Sequence, residues 1–373
     1  LTADITLGNL VSGEALNHSG TATIGSANAG SYTITNLAGI TIADGSGGAA
    51  SNYTLTGGTH NFTVNRRVVG VSGTRLYDAT TNAVASDLST HANLVGSQTL
   101  TLSGTGTIAS KDVGSSKTVS VGTLALGNGS NGGLAANYTL TGGTHQLTVN
   151  QRPLNATLAR QYDGTTNAAG SDLSSFDALQ GGETLTLSGS GTAANDNVAN
   201  GISVSSLGSL ALVNGTGLAS NYSLNSAAIN ITQRVLNSSG SKTYDANTNA
   251  LAGAITLSNL VSGEALNHSG TATTSSANAG SYTISNLSGI SIADGSGGAA
   301  SNYTLTGGTH NFTINQRPLN ATLARQYDGT TNAAGSDLSS FDALQGGETL
   351  TMTGSGTAAS ANVANGIAMS SNG

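Results

Sequence analysis

The side chains with the clearest chemical potential are carboxylates that recur in fixed places. Asp163, Asp172, Asp177 and Glu183 return as Asp328, Asp337, Asp342 and Glu348. Three or four such carboxylates with neighbouring carbonyls could supply the roughly six to eight oxygens that Ca²⁺ takes. Their order lacks the D-x-[DN]-x-[DN]-G spacing of an EF-hand loop, and no nonapeptide calcium repeat is present. The Asp-Gly-Thr-Thr-Asn stretches at Asp163 and Asp328 also carry the chemistry of a plain turn, since Asp bonds its own backbone and Gly accepts positive φ. The turn reading is preferred, and no residue is assigned to a metal.

Catalytic constellations have less support. Of His18, His60, His91, His145, His268 and His310, three occupy the same slot after Thr-Gly-Gly-Thr, where a polar residue on a strand's outer face is expected. Ser and Asp are so plentiful that some Ser–His–Asp set arises by chance, and no G-x-S-x-G elbow accompanies one. A glycosidase would need two carboxyls across a cleft, which small repeated units offer poorly. Several N-x-[ST] sequons, among them Asn17, Asn52, Asn137, Asn221 and Asn302, follow from an Asn- and Thr-rich composition. No catalytic or cofactor-binding residue is assigned, and the chain does not read as an enzyme.

Tyrosines and cations are spaced too regularly to be a local site. Tyr53, Tyr138, Tyr222 and Tyr303 each follow Asn, and Tyr77, Tyr162, Tyr244 and Tyr327 each precede Asp. Tyr32 and Tyr282 complete the ten. With no Trp and 4 Phe, these rings must supply much of the core, each with its hydroxyl capped. Arg67, Arg152, Arg234 and Arg317 form one cation slot. Arg75, Arg160, Lys242 and Arg325, two residues before the tyrosine of Tyr-Asp, form another. In a strand, residues two apart share a face, so this second cation is expected beside the tyrosine ring.

The elements that must position these residues are strands. Short runs such as Gly280-Ser-Tyr-Thr-Ile-Ser and Asn311-Phe-Thr-Ile alternate apolar and polar residues with period two. No run sustains a helical period. The Gly-Gly between Tyr-Thr-Leu-Thr and Thr-His-Asn-Phe-Thr predicts a tight hairpin. Both tyrosine series recur about every 83 residues, at 53, 138, 222 and 303 and at 77, 162, 244 and 327. The period gives a partial unit 1–66, whole units 67–151, 152–233 and 234–316, and a partial unit 317–373. Residues 5–64 repeat at 255–314 with seven differences, and 152–186 repeat at 317–351 with none, so near-identical copies are separated by unlike ones. The chain opens and closes inside a unit, as a piece of a longer array would. The expected fold is an all-β tandem array of small β-sandwich-like units of about 83 residues, with a continuous β-solenoid as the alternative.

Composition narrows the classes further. Of 373 residues 53 are Gly, none is Cys, 8% are charged, and the net charge is −7. Absent Cys rules out disulfide frameworks and Cys-ligated zinc. Eleven scattered cations in an acidic chain make no phosphate-binding stripe, so no nucleic-acid partner is expected. No stretch approaches the roughly 18 apolar residues of a membrane span.

The segment Arg-Pro-Leu-Asn-Ala-Thr-Leu-Ala-Arg-Gln-Tyr-Asp-Gly-Thr-Thr-Asn-Ala, at 152–168 and again at 317–333, resembles the YDG repeats of bacterial haemagglutinin-like exoproteins. Full Tyr-Asp-Gly stands at Tyr162 and Tyr327, whereas Tyr77 and Tyr244 are followed by Asp-Ala, which argues against a strict need for positive φ there. The resemblance implies two-partner secretion through an outer-membrane transporter to the cell surface, and a role in adhesion, aggregation or biofilm formation. It implies a structural stalk projecting an adhesive region. The alternative is a multivalent binder whose units each hold a weak site for a cell-surface glycan or protein of host or bacterium. No catalytic residues or cofactor come with it, and the lack of Cys suits passage of an unlocked chain through a pore.

Overall fold

The computed structural model describes residues 5–371. Among them the regular elements are strands and three-residue 3₁₀ turns, and the chain is a tandem all-β array. In 67–151 the strands Gly70–Leu76, Asn82–Val84, Thr90–Ala92, Thr105–Ile108, Gly114–Ser120 and His145–Asn150 form one six-stranded sheet. The sheet begins at Asn82–Val84, passes through Thr105–Ile108, Gly114–Ser120, His145–Asn150 and Gly70–Leu76, and ends at Thr90–Ala92. Leu100–Ser103 and Ala125–Asn128 add an antiparallel ribbon. Residues 234–316 repeat the order, with Ile290–Asp294 pairing along Leu266–Thr274.

The centre of each sheet is a parallel pair. His145–Asn150 runs alongside Val71–Leu76, and His310–Asn315 alongside Ser238–Thr243. Parallel neighbours need a long crossover, and here the crossover is the rest of the repeat. The sheet's first and last strands in chain order thus lie side by side in its interior. Successive solenoid coils do not form. Burial follows the alternation read in the sequence: His145, Leu147 and Val149 point inward while their neighbours are more exposed.

The Gly-Gly segments do not make hairpins. Tyr138–Thr139 pairs in parallel with Arg67–Val68, and His145–Asn150 in parallel with the strand that follows it, so the chain keeps its direction across Gly142-Gly143. The glycines make a jog, with Gly143 N–H donating to Leu140 O at 2.9 Å. His145 sits at 2.9 Å from the same carbonyl through Nε2 and is buried, as is His310 beside Leu305 O. The expected solvent-facing histidines instead lock the jog. In His310 the second nitrogen lies 2.9 Å from Ser238 Oγ.

By internal contacts the chain forms two compact units. One comprises Leu1–Ala156, Phe176–Ser188 and Ala211–Ser226; the other comprises Thr157–Ser175, Gly189–Leu210 and Ala227–Gly373. The division passes through the repeat 152–233, because parts of that repeat pack into each. In the first unit Leu154, Leu185 and Tyr222 join the core built by Val69, Val71, Tyr77, Leu147 and Val149.

Candidate functional site

The recurring tyrosines meet the recurring glutamates at joints between successive repeats. Tyr77 follows the strand Gly70–Leu76 and is fully buried. Its hydroxyl donates to Glu183 Oε1 at 2.6 Å, and Tyr222 donates to Glu183 Oε2 at 2.8 Å. The rings stand edge to face, 5.3 Å apart at 77°, the geometry that aligns one ring's positive edge with the other's negative face. Glu183 and Tyr222 lie in one repeat and Tyr77 in the repeat before it. Lys111 also donates to Glu183 Oε1 at 2.6 Å and lies 5.8 Å from the Tyr77 ring centroid.

The second unit holds the same arrangement. Tyr162 and Tyr303 donate to the two oxygens of Glu264 at 2.6 and 2.7 Å, with rings 5.4 Å apart at 80°. Tyr244 bonds Glu348, Tyr53 bonds Glu14, and Tyr138 donates to Gln98 Oε1 at 2.5 Å.

An asparagine reinforces the joints at Glu183 and Glu264. Asn221, 1% exposed, accepts from Val113 N–H and donates to Asp112 Oδ1, both at 2.9 Å. Asn302 treats Val198 and Asn197 alike, and Asn137 treats Ala29 and Asn28 alike. The cations of the first slot fasten the entry strand. Arg152, Arg234 and Arg317 donate to the carbonyls of Tyr77, Tyr162 and Tyr244, and Arg67 and Arg234 also hold Asn93 and Asn259 of their own repeats.

Burial sets the electrostatics. Desolvation and the Glu264 hydrogen bond push Tyr162 up to about 12; desolvation and Glu183 push Tyr222 up to about 12. Tyr77 and Tyr303 rise for the same reason. Burial opposes the charge of Glu183, yet the bonds from Lys111, Tyr77 and Tyr222 outweigh it and hold its carboxyl below the usual range. The clamp is thus an anion held by neutral phenols.

The carboxylates considered for Ca²⁺ go separate ways. Asp163 caps Thr165 and pairs with Arg160; Asp177 binds the backbone and side chain of Asn155; Glu183 is in its clamp. Among their copies Asp328 caps Thr330, Asp342 binds Asn320 and Glu348 meets Tyr244 in the same way, and Asp337 accepts from Ala334 N–H. Among the described residues no three His, Asp or Glu side chains come together to hold a metal ion.

The cation two before each Tyr-Asp does not lie over the tyrosine. Arg75 pairs with Asp78 at 2.5 Å, Lys242 with Asp245 at 2.7 Å and Arg325 with Asp328 at 3.3 Å. In 67–151 the strand ends at Leu76, so the same-face rule stops one residue short of Tyr77. The turn that follows is left-handed in every copy: Gly164 and Gly329 have φ of +73° and +75°, and Ala79 and Ala246 have +63° and +61°. The positive φ is therefore required, and two repeats meet it with alanine under strain.

The repeat period has a counterpart in a known family. The YDG domain matches residues 63–148, 144–230, 230–310 and 314–373. The chain belongs to the YDG domain family. No curated protein matches it. In these YDG repeats the name-giving tyrosine is the donor of the joint. The glutamate that receives it was missed as a joint residue in the sequence, although Glu14, Gln98, Glu183 and Glu264 precede their Asn-Tyr tyrosines by 39, 40, 39 and 39 residues.

Two cavities belong to the same architecture. One of about 720 Å³ is lined by Ile34, Leu37, Ile40, Tyr53 and His60. In 234–316 the equivalent Tyr303 and His310 are covered by Arg234–Val235 and Ser238. The other, of about 370 Å³, is lined by Tyr244, Asn278, Ala279 and Glu348, counterparts of groups that Asn221 and Tyr222 engage. No helix among the described residues is long and apolar enough to cross a membrane.

Proposed function

We propose that this chain is a structural section of a bacterial surface adhesin of the haemagglutinin-like kind, exported by two-partner secretion. It spaces an adhesive region from the cell. The observation that carries this reading is the use made of its recurring polar residues. The clamp tyrosines, their glutamates, the Asn-Tyr asparagines and the slot arginines are spent on joints within and between repeats. A binding or catalytic array would leave some recurring set facing solvent without a partner. The low charge and absent Cys support export of an unlocked chain. We assign it no catalysis, no cofactor and no nucleic-acid partner.

The test is binding of the intact chain to host cells, bacterial cells and a glycan panel, in Ca²⁺ and in chelator. The expected result is no saturable binding in either condition and no change in melting temperature with chelator. Saturable binding to one glycan would replace the spacer with a multivalent binder, whose apparent affinity rises through effective concentration.

A further inference from the structure

The joints come in two forms, and the forms are matched across the repeat boundary. After Tyr-Asp the left-handed residue is Ala79 or Ala246 in two repeats and Gly164 in the one between. The turn that leads into the clamp glutamate of the next repeat changes with it. Opposite Ala79 it is Gln180-Gly181-Gly182, closed by Glu183 N–H to Gln180 O at 3.0 Å, with positive φ at both glycines. Opposite Ala246 it is Gln345-Gly346-Gly347, with the same signs. Opposite Gly164 it is Val261-Ser262-Gly263, where positive φ falls on Gly263 and not on Ser262. These are the φ patterns of a type I′ and a type II turn.

Steric fit explains the matching. A Cβ built on Gly181 would lie 2.8 Å from Ala79 Cβ, and one on Gly346 would lie 3.0 Å from Ala246 Cβ. A Cβ built on Gly164 would lie 2.8 Å from Val261 Cγ1 and 3.3 Å from Glu264 Oε1. Valine is stiff about χ1 and cannot swing aside. Gln180 and Gln345, at the valine's place, fold back to bond Ala178 O and Ala343 O. An alanine after Tyr-Asp therefore needs a Gly-Gly turn facing it, and a Val-Ser turn needs a glycine.

We propose that the residue after Tyr-Asp and the turn before the clamp glutamate form a steric pairing code that decides which YDG repeat can follow which. The rule is one-sided: alanine rejects the Val-Ser turn, whereas glycine fits it and leaves only a gap before Gly-Gly. It holds whether the array is a spacer or a binder.

Transplanting the code in the intact chain tests it, read by amide hydrogen exchange of residues 258–266. Gly164→Ala alone is expected to speed exchange there at least tenfold. Adding Val261→Gln and Ser262→Gly recreates the other joint and should return exchange to within about threefold of the parent chain. The reciprocal set is read at residues 178–185. Gln180→Val with Gly181→Ser speeds exchange, and adding Ala79→Gly restores it. Either set is informative if one variant fails to fold. A neutral Gly164→Ala, or compensating changes that restore nothing in both sets, would overturn the code.

Discussion

Glu183 holds the joint because its two oxygens satisfy two buried phenols and an ammonium at once. A group of that kind costs more to remove than it contributes in place, since its partners are left buried and unsatisfied. Glu183→Leu should destabilise the chain by about 3 kcal/mol, with Tyr77 and Tyr222 left buried and unsatisfied while the exposed Lys111 returns to water. Glu183→Gln should cost nearer about 1 kcal/mol, because an amide oxygen still accepts, as Gln98 does from Tyr138. Urea unfolding of the two variants checks the ranking. The strained alanines give the opposite sign. Ala79→Gly and Ala246→Gly should each stabilise by roughly 1 kcal/mol, read as a raised melting temperature. The buried, capped tyrosines were legible from their spacing and from the shortage of other aromatics. The caps were not legible, because the glutamate that receives Tyr77 lies 106 residues further on and the two share no local pattern.

At the scale of elements the strands were readable from alternation, and their partners were not. Gly142-Gly143 has the composition of a hairpin turn, yet its direction is fixed by where Arg67–Val68 and Gly70–Leu76 lie, which no local window contains. The rank of His145 as a buried lock follows from the same pairing. The joint between elements also carries a pH signature. Tyr162 and Tyr222 ionise at about 12 in the folded chain against about 10 unfolded. Between those values the unfolded chain has lost protons that the folded chain keeps, so raising pH favours unfolding. Their contribution is whole below pH 10 and gone above about pH 12. Glu183 behaves in reverse: its depressed value adds stability above the normal carboxylate range, lost as pH falls through it. Melting temperature followed by circular dichroism should fall steeply on the alkaline side above pH 10, in step with tyrosinate absorbance.

At the scale of the molecule, a period of about 83 residues was plain from two tyrosine series, and the family match agrees with it. The period by itself does not show that one repeat supplies residues to the core of another. Residues 152–233 contribute Glu183 and Tyr222 to one compact unit, and Tyr162 to the other. Neighbouring repeats should therefore unfold with shared cooperativity, as nearest-neighbour coupling in repeat arrays requires. Under the proposed rule a repeat with a Val-Ser turn, such as 234–316, meets a clash when seated after a repeat whose Tyr-Asp is followed by alanine, including a copy of itself.

Coupling through the clamp is tested most directly by hydrogen exchange of the intact chain carrying Tyr77→Phe, which removes a single hydroxyl. The account predicts faster exchange at residues 180–184 of the following repeat, with the sheet Gly114–Ser120 and His145–Asn150 unchanged. Faster exchange confined to the neighbours of residue 77 in its own repeat would contradict it.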